Sequence, residues 1–208
     1  MLNSESIAFT YDGIVKFHFP DINLKKGESL LVLGKSGVGK TTFIQILAGL
    51  LKAKSGNVKL GKTNYNTLSS KHMDQFRGKH IGMVFQKPHF VRNLNIIENL
   101  LLSLYLSENS QDENRVIQVL KELGLGDKLE SMPDELSQGE QQRAAIALAV
   151  IKKPDLILAD EPTSSLDDIN ANKIISILKE QSEKTKSNLI IITHDNRIKS
   201  QFNKSITL

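Results

Sequence analysis

The sequence predicts an α/β fold: a mostly parallel sheet flanked by helices, with an N-terminal antiparallel β element and an inserted α-helical subdomain. Three observations carry this. Strand-like and helical patterns alternate along most of the 208 residues, the order that a parallel sheet with covering helices requires. The first strand signals flank Asp12-Gly13, which is hairpin-turn chemistry. From about residue 95 to residue 129 only helical spacing is found.

Residues 7–11 and 14–19 read as short strands on either side of the Asp12-Gly13 turn. Lys26-Gly27-Glu28 is a second turn, leading into the apolar run Ser29-Leu30-Leu31-Val32-Leu33, a buried strand. Residues 42–48 place apolar side chains at helical spacing. Ser55-Gly56 breaks that helix, and Val58-Lys59-Leu60-Gly61 is a strand entering a turn. Residues 81–85 form a further strand that stops at Gln86. Ile96, Ile97, Leu100, Leu101 and Leu104 mark one helix, and Val116, Ile117, Leu120 and Leu123 another, with a polar loop at 107–114 between them. A helix at 141–151, a strand at 156–159, a helix at 169–180 and a strand at 189–193 complete the pattern. The expectation is one domain, 1–208, with a core of 1–86 and 143–208 and a helical subdomain at about 87–142.

Composition narrows the class. There is no cysteine, so no disulfide framework and no thiolate metal site. The longest apolar runs, at 100–106 and 189–192, are far shorter than a bilayer requires. The N-terminus lacks the basic and apolar regions of a signal peptide, and a cytoplasmic location is expected. The net charge of +4 comes from lysines spread along the chain. There is no dense basic block and no zinc-finger or helix-turn-helix spacing, so no nucleic acid is expected as a partner.

The sharpest motif is Gly34-Lys35-Ser36-Gly37-Val38-Gly39-Lys40-Thr41, which fits G-x-x-x-x-G-K-[ST] between a strand and a helix. Glycines let backbone N–H groups turn inward, and the helix N-terminus adds free donors and partial positive charge. This is a phosphate-binding loop, a nucleoside triphosphate site that runs on to Thr42. Lys40 would reach the β- and γ-phosphates, and the Thr41 hydroxyl would ligate Mg²⁺. The run from Leu156 to Ala159 ends in Asp160-Glu161. In that context Asp160 suits a magnesium ligand, and Glu161 a base or orienter for an attacking water. Taken singly, Tyr11 reads as a strand aromatic, Gln86 carries no information, His194 suits a solvated loop and Ser137 suits a helix cap.

Leu136-Ser137-Gln138-Gly139-Glu140 just upstream resembles the L-S-G-G-Q signature of the ATP-binding-cassette (ABC) ATPases. Other marks of that family fall in order over nearly the whole chain. The resemblance implies that Tyr11 stacks on adenine and that Gln86 senses Mg²⁺ and couples to a partner. It implies that Ser165-Leu166-Asp167 communicates across a dimer and that His194 contacts the γ-phosphate. It further implies a head-to-tail homodimer in which Ser137 and the Gly139 N–H bind the γ-phosphate of ATP on the opposite copy. An integral-membrane permease, docked near residues 86–99, would be the second partner, with the ATPase on the cytoplasmic face. Gln138 and Glu140 depart from the signature, while its serine and second glycine remain. The runs 84–86 and 158–163 are similar to ATPases of the lipoprotein-release and macrolide-export type. The segment between Tyr11 and the phosphate loop is shorter than is usual there. The function implied is ATP hydrolysis driving transport, with work on a cell-division or envelope complex as the alternative.

Overall fold

The computed structural model describes residues 1–11, 13, 16–164 and 166–208, and in it the chain passes from an antiparallel sheet into a parallel one. β1 (Leu2–Phe9), β2 (Phe17–His18) and β3 (Ile22–Leu24) precede β4 (Ser29–Leu33), which feeds the glycine-rich loop and α1 (Lys40–Leu47). β5 (Ser55–Leu60), β6 (Thr63–Asn64), α2 (Ser70–His80) and β7 (Ile81–Val84) follow. Then come α3 (Ile96–Leu106), α4 (Glu113–Glu122), α5 (Gln138–Val150), β8 (Leu156–Asp160), α6 (Asp168–Thr185), β9 (Asn188–Thr193) and β10 (Ser205–Thr207).

The parallel sheet has the order β10-β4-β9-β8-β7, and each neighbouring pair is parallel. Its strands are covered on both faces. Leu31, Ile157, Ala159, Leu189 and Ile191 join an apolar cluster with α3, α4, α5 and α6. Leu30, Val32, Leu156, Leu158, Ile190 and Ile192 join the other cluster, with α1 and the antiparallel sheet. Burial on both faces is why these strands are continuous apolar runs without alternation. The inserted helices share the first cluster: Leu100, Leu104, Val116 and Leu120 reach the sheet by way of Ala144 and Ile146 of α5.

The N-terminal hairpin is present with different bounds. β1 begins at Leu2, and Ala8 and Phe9 pair with His18 and Phe17. Asp12, Ile14 and Val15 of the expected turn and second strand lie outside the described residues. β1 also pairs with β3 and β5, and β5 with β6, giving the antiparallel sheet.

The first helix ends elsewhere than expected. Ser55-Gly56 does not end the first helix. α1 stops at Leu47, where Gly49 takes a left-handed φ of 67° and its N–H bonds Ile46 O at 2.9 Å. Ser55 and Gly56 belong to β5. There the register against β1 slips between Glu5 and Ala8, and Gly56 sits at φ 86° against the Ser6 carbonyl. The glycine marks a bulge, which a single sequence does not separate from a helix stop. α2 went unread because Met73 is its one buried residue, so it shows no apolar stripe.

α5 rests directly on β7 at Gly82, where a Cβ would collide with the Ala149 carbonyl and stand 3.1 Å from Pro154 Cγ. Gly82→Ala is therefore expected to destabilise the protein by about 1–3 kcal/mol. A melting temperature unchanged in calorimetry would contradict this close helix–strand contact.

Candidate active site

β4, β9 and β8 run parallel and in register, with Leu33 opposite Thr193 and Ile192 opposite Asp160. Their C-terminal ends therefore open at one edge, the crevice where α/β sheets bind ligands. A cleft of about 680 Å³ lies there. It is walled by Lys35, Ser36 and Gly37, by Gly39 through Thr42, and by Gln86, Glu161, His194 and Phe17. The Gly34 N–H bonds the Thr193 carbonyl at 3.3 Å and ties the loop to β9. Gly39 caps α1 at φ 95° without a side-chain hydrogen bond, and a Cβ there would stand 2.7 Å from the Phe17 ring. Both facts demand glycine, and together they leave the first N–H groups of α1 facing the cleft, as an anion site needs.

Lys40 is only 8% exposed. Its ammonium donates to Gly34 O at 2.8 Å and Lys35 O at 3.0 Å, and it pairs with Glu161 Oε1 at 3.3 Å. Glu161 follows β8 in a left-handed conformation, φ 48°, which costs a non-glycine residue about 1–2 kcal/mol. The turn aims its carboxylate back across the end of β9. Oε2 accepts the Thr193 hydroxyl at 2.8 Å and the His194 N–H at 3.3 Å, and Oε1 meets His194 Nδ1 at 2.9 Å. Burial alone would raise the Glu161 pKa. The bonds from His194 and Thr193, with the charges of His194 and Lys40, outweigh it and hold the carboxyl below the usual range. It is ionised at neutral pH.

Asp160 is 7% exposed, and its Oδ1 has no hydrogen-bond partner among the described residues. Burial pushes its pKa up; the Thr41 hydroxyl opposes the shift, Glu161 adds to it and Lys40 opposes it. A buried carboxylate oxygen without a donor is costly unless a cation completes it. Asp160 and the Thr41 hydroxyl beside it, with the Gln86 amide on the cleft wall, are hard oxygen donors. That set fits a small divalent cation taking few protein ligands and further oxygens from phosphate and water.

The remaining expected residues are distributed as follows. Tyr11 is 65% exposed, edge-on to Phe9 at 4.8 Å between centroids, with its hydroxyl 2.9 Å from Thr42 Oγ1. Gln86 Nε2 donates to Ser164 Oγ at 3.3 Å. Gly34 and Val38 pack on one another: a Cβ on Gly34 would stand 2.9 Å from Val38 Cγ2. Phe17, on the cleft wall, was not read from the sequence, where it is one aromatic among several in a hairpin.

Ser137, Gly139 and Asp167 do not line this cleft. Ser137 caps α5, accepting the Glu140 N–H at 3.4 Å while Glu140 Oε2 takes the Ser137 N–H at 2.8 Å and hydroxyl at 2.7 Å. Glu and Gln both complete such a capping box, so Glu140 is compatible with this helix start. Gly139 has φ outside the left-handed region, and a Cβ there would find only Arg143 Nη1, at 3.7 Å. Among the described residues no contact requires that glycine. Asp167 caps α6, accepting the Asn170 N–H at 2.9 Å. Ser165 lies outside the described residues.

A cleft of this build between a phosphate loop and an Asp-Glu strand end defines an ATPase of the phosphate-loop class. Comparison with known proteins narrows it. The ABC transporter family model matches residues 18–164. The lipoprotein-releasing system ATP-binding protein LolD of Buchnera aphidicola is 40% identical over 189 residues, which is 90% of this chain and 82% of that protein. The bacitracin export ATP-binding protein BceA of Halalkalibacterium halodurans is 36% identical over 177 residues, 84% of this chain and 70% of that one. Two dimeric structures of the ATP-binding cassette MJ0796, one a post-hydrolysis state bound to ADP and Pi, match with a TM-score of 0.89 at 30% identity. They cover 100% of this chain and 94% of theirs. The chain belongs to the ABC transporter family. It is an ATP-binding cassette, the ATPase subunit of a transporter.

A carboxyl whose pKa is raised by folding binds protons better folded than unfolded, so it opposes folding at neutral pH and ceases to do so as pH falls through the raised value. Asp160→Asn is thus expected to raise the melting temperature of the nucleotide-free protein at pH 7. The gain should shrink on acidification and should come with loss of Mg²⁺-dependent stabilisation by ATP. Calorimetry across pH reads all three; a lower melting temperature at pH 7 would contradict the strained carboxylate.

Proposed function

We propose that this chain works as a head-to-tail homodimer that holds ATP-Mg²⁺ at two composite sites and drives a separate integral-membrane permease. The observation that carries it is the division of polar groups. Loop, Lys40 and Glu161 converge on one cleft, with Asp160 buried behind Thr41, while Ser137 and Gly139 stand away from it with no task among the described residues beyond a helix cap. A second copy turned by a two-fold axis would bring its Ser137 hydroxyl and Gly139 N–H to the open side, completing both sites at once. The dimeric cassette structures support that arrangement.

In this reading the N–H groups of residues 34–42 cradle the phosphates, and Lys40 exchanges the Gly34 and Lys35 carbonyls for β- and γ-oxygens. Asp160, Thr41 and Gln86 would hold Mg²⁺, which would neutralise charge on the phosphates. Glu161 draws the proton of a water as its oxygen bonds the γ-phosphorus and the bond to the ADP oxygen breaks. His194 holds Glu161 in place and contacts the γ-phosphate. Tyr11 stacks on adenine, and Asp167 lies on the dimer face. Loss of the bridging phosphate lets the copies separate, a rigid-body switch. The same reading divides the chain into a catalytic core, 1–86 and 143–208, and a helical subdomain at about 87–142 that meets the permease near 86–99 on the cytoplasmic face. The lipoprotein-releasing relatives favour work on a membrane-bound substrate in the cell envelope over passage of a dissolved solute.

Glu161→Gln is expected to lower ATP hydrolysis by about 10²–10⁴-fold while ATP binding persists and an ATP-dependent dimer accumulates in light scattering. Normal hydrolysis would refute the role given to Glu161. Gly139→Asp should leave the melting temperature and monomer ATP binding near wild type yet abolish that dimer; a dimer that still forms would remove the signature from the interface.

A further inference from the structure

Donors hold both oxygens of the Glu161 carboxylate, and those on one oxygen have other work. Oε1 meets Lys40 Nζ at 3.3 Å and His194 Nδ1 at 2.9 Å. Both side chains line the ATP cleft, and in the reading above both turn to phosphate oxygens once ATP arrives. Oε2 takes the Thr193 hydroxyl at 2.8 Å and the His194 N–H at 3.3 Å. These donors belong to the end of β9 and the backbone just after it. Thr193 is fully buried and does not line the cleft.

The surroundings of Thr193 fix its hydroxyl in place and in direction. Thr193 pairs with Leu33 of β4, and its carbonyl accepts the Gly34 N–H at 3.3 Å. Its backbone is thereby tied to the strand that carries the phosphate loop. The Asp195 N–H donates to Thr193 Oγ1 at 3.0 Å. That bond uses an oxygen lone pair and leaves the single hydroxyl proton for Glu161. A β-branched side chain in a strand has few χ1 choices, so the donor has little freedom to turn away. The Glu161 N–H also reaches β9, at the Ile192 carbonyl, 2.8 Å away. Backbone and side chain of Glu161 are thus moored to the same strand end.

We propose that Thr193 is a positioning residue for Glu161: its hydroxyl anchors Oε2 throughout the cycle, so that Oε1, released by Lys40 and the His194 ring, faces the attacking water. A hydroxyl bonded to an ionised carboxylate is among the stronger hydrogen bonds, which suits an anchor. Position matters to a base of this kind, since a shift of about 1 Å costs on the order of 10²-fold in rate. Thr193 stands off the cleft and acts through Glu161 alone. This role rests on the reading of Glu161 as the base that draws the proton from water.

Steady-state ATP hydrolysis by the whole protein tests this with Val and Ser at position 193. Thr193→Val keeps the shape and removes the hydroxyl; Thr193→Ser keeps the hydroxyl and removes a buried methyl. Thr193→Val should lower kcat by about 10–100-fold with KM for ATP within about twofold of wild type. Thr193→Ser should stay within about threefold of wild type in both constants. A purely structural role predicts the reverse order, because Ser leaves a cavity where Val does not. Should Thr193→Val fail to fold, Thr193→Ala replaces it: it lacks the same methyl as Thr193→Ser, and it should be slower than Thr193→Ser by about 10-fold or more. Adding Thr193→Val to Glu161→Gln should slow hydrolysis no further, since both changes break one unit. A kcat near wild type in Thr193→Val, an equal loss in Thr193→Ser, or a loss that adds in full to that of Glu161→Gln overturns the proposal. Normal hydrolysis by Glu161→Gln refutes the base reading and the anchor with it; a slow Glu161→Gln beside an unaffected Thr193→Val sinks only the anchor.

Discussion

The structure depends on the parallel register of β4, β9 and β8. Each of these strands is buried on both faces, so none can slip by one residue without turning an apolar set the wrong way. Register then fixes where the strands end. Gly34, Asp160-Glu161 and Thr193-His194 lie at the C-terminal ends of three neighbouring strands, although about 125 residues of chain separate the first from the second.

At that edge two adjacent carboxylates receive opposite environments. Asp160 remains in the sheet, nearly without donors, and its pKa rises. Glu161 steps out through a left-handed turn into the donors of Thr193 and His194, and its pKa falls. Neighbouring groups driven apart in this way take different tasks. One suits a cation; the other stays charged beside a lysine that must let go of it to reach phosphate. The strained φ of Glu161 belongs to the same arrangement, since an extended residue there would not return its side chain over β9.

α5 links the two surfaces of the molecule. Its first turn presents Ser137 and Gly139, and its last turns floor a groove that ends at Lys152. Gly82 lets it lie directly on β7, and the strand leads on to Gln86, which reaches the ATP cleft.

The local sequence determined much of this. A phosphate loop is read from eight contiguous residues because its work is done by backbone groups that glycine frees, and strands buried on both faces announce themselves as apolar runs. The capping roles of Ser137 and Asp167 follow from their side chains and the residues three positions on. Tertiary structure decided the rest. Phe17 became a cleft wall because β1 pairs it opposite Phe9 and its ring closes over Gly39. Ser55-Gly56 became a bulge because β1 approaches there, and α2 formed with almost no buried face of its own. In each case the deciding contact comes from residues distant in sequence, and no local pattern records it.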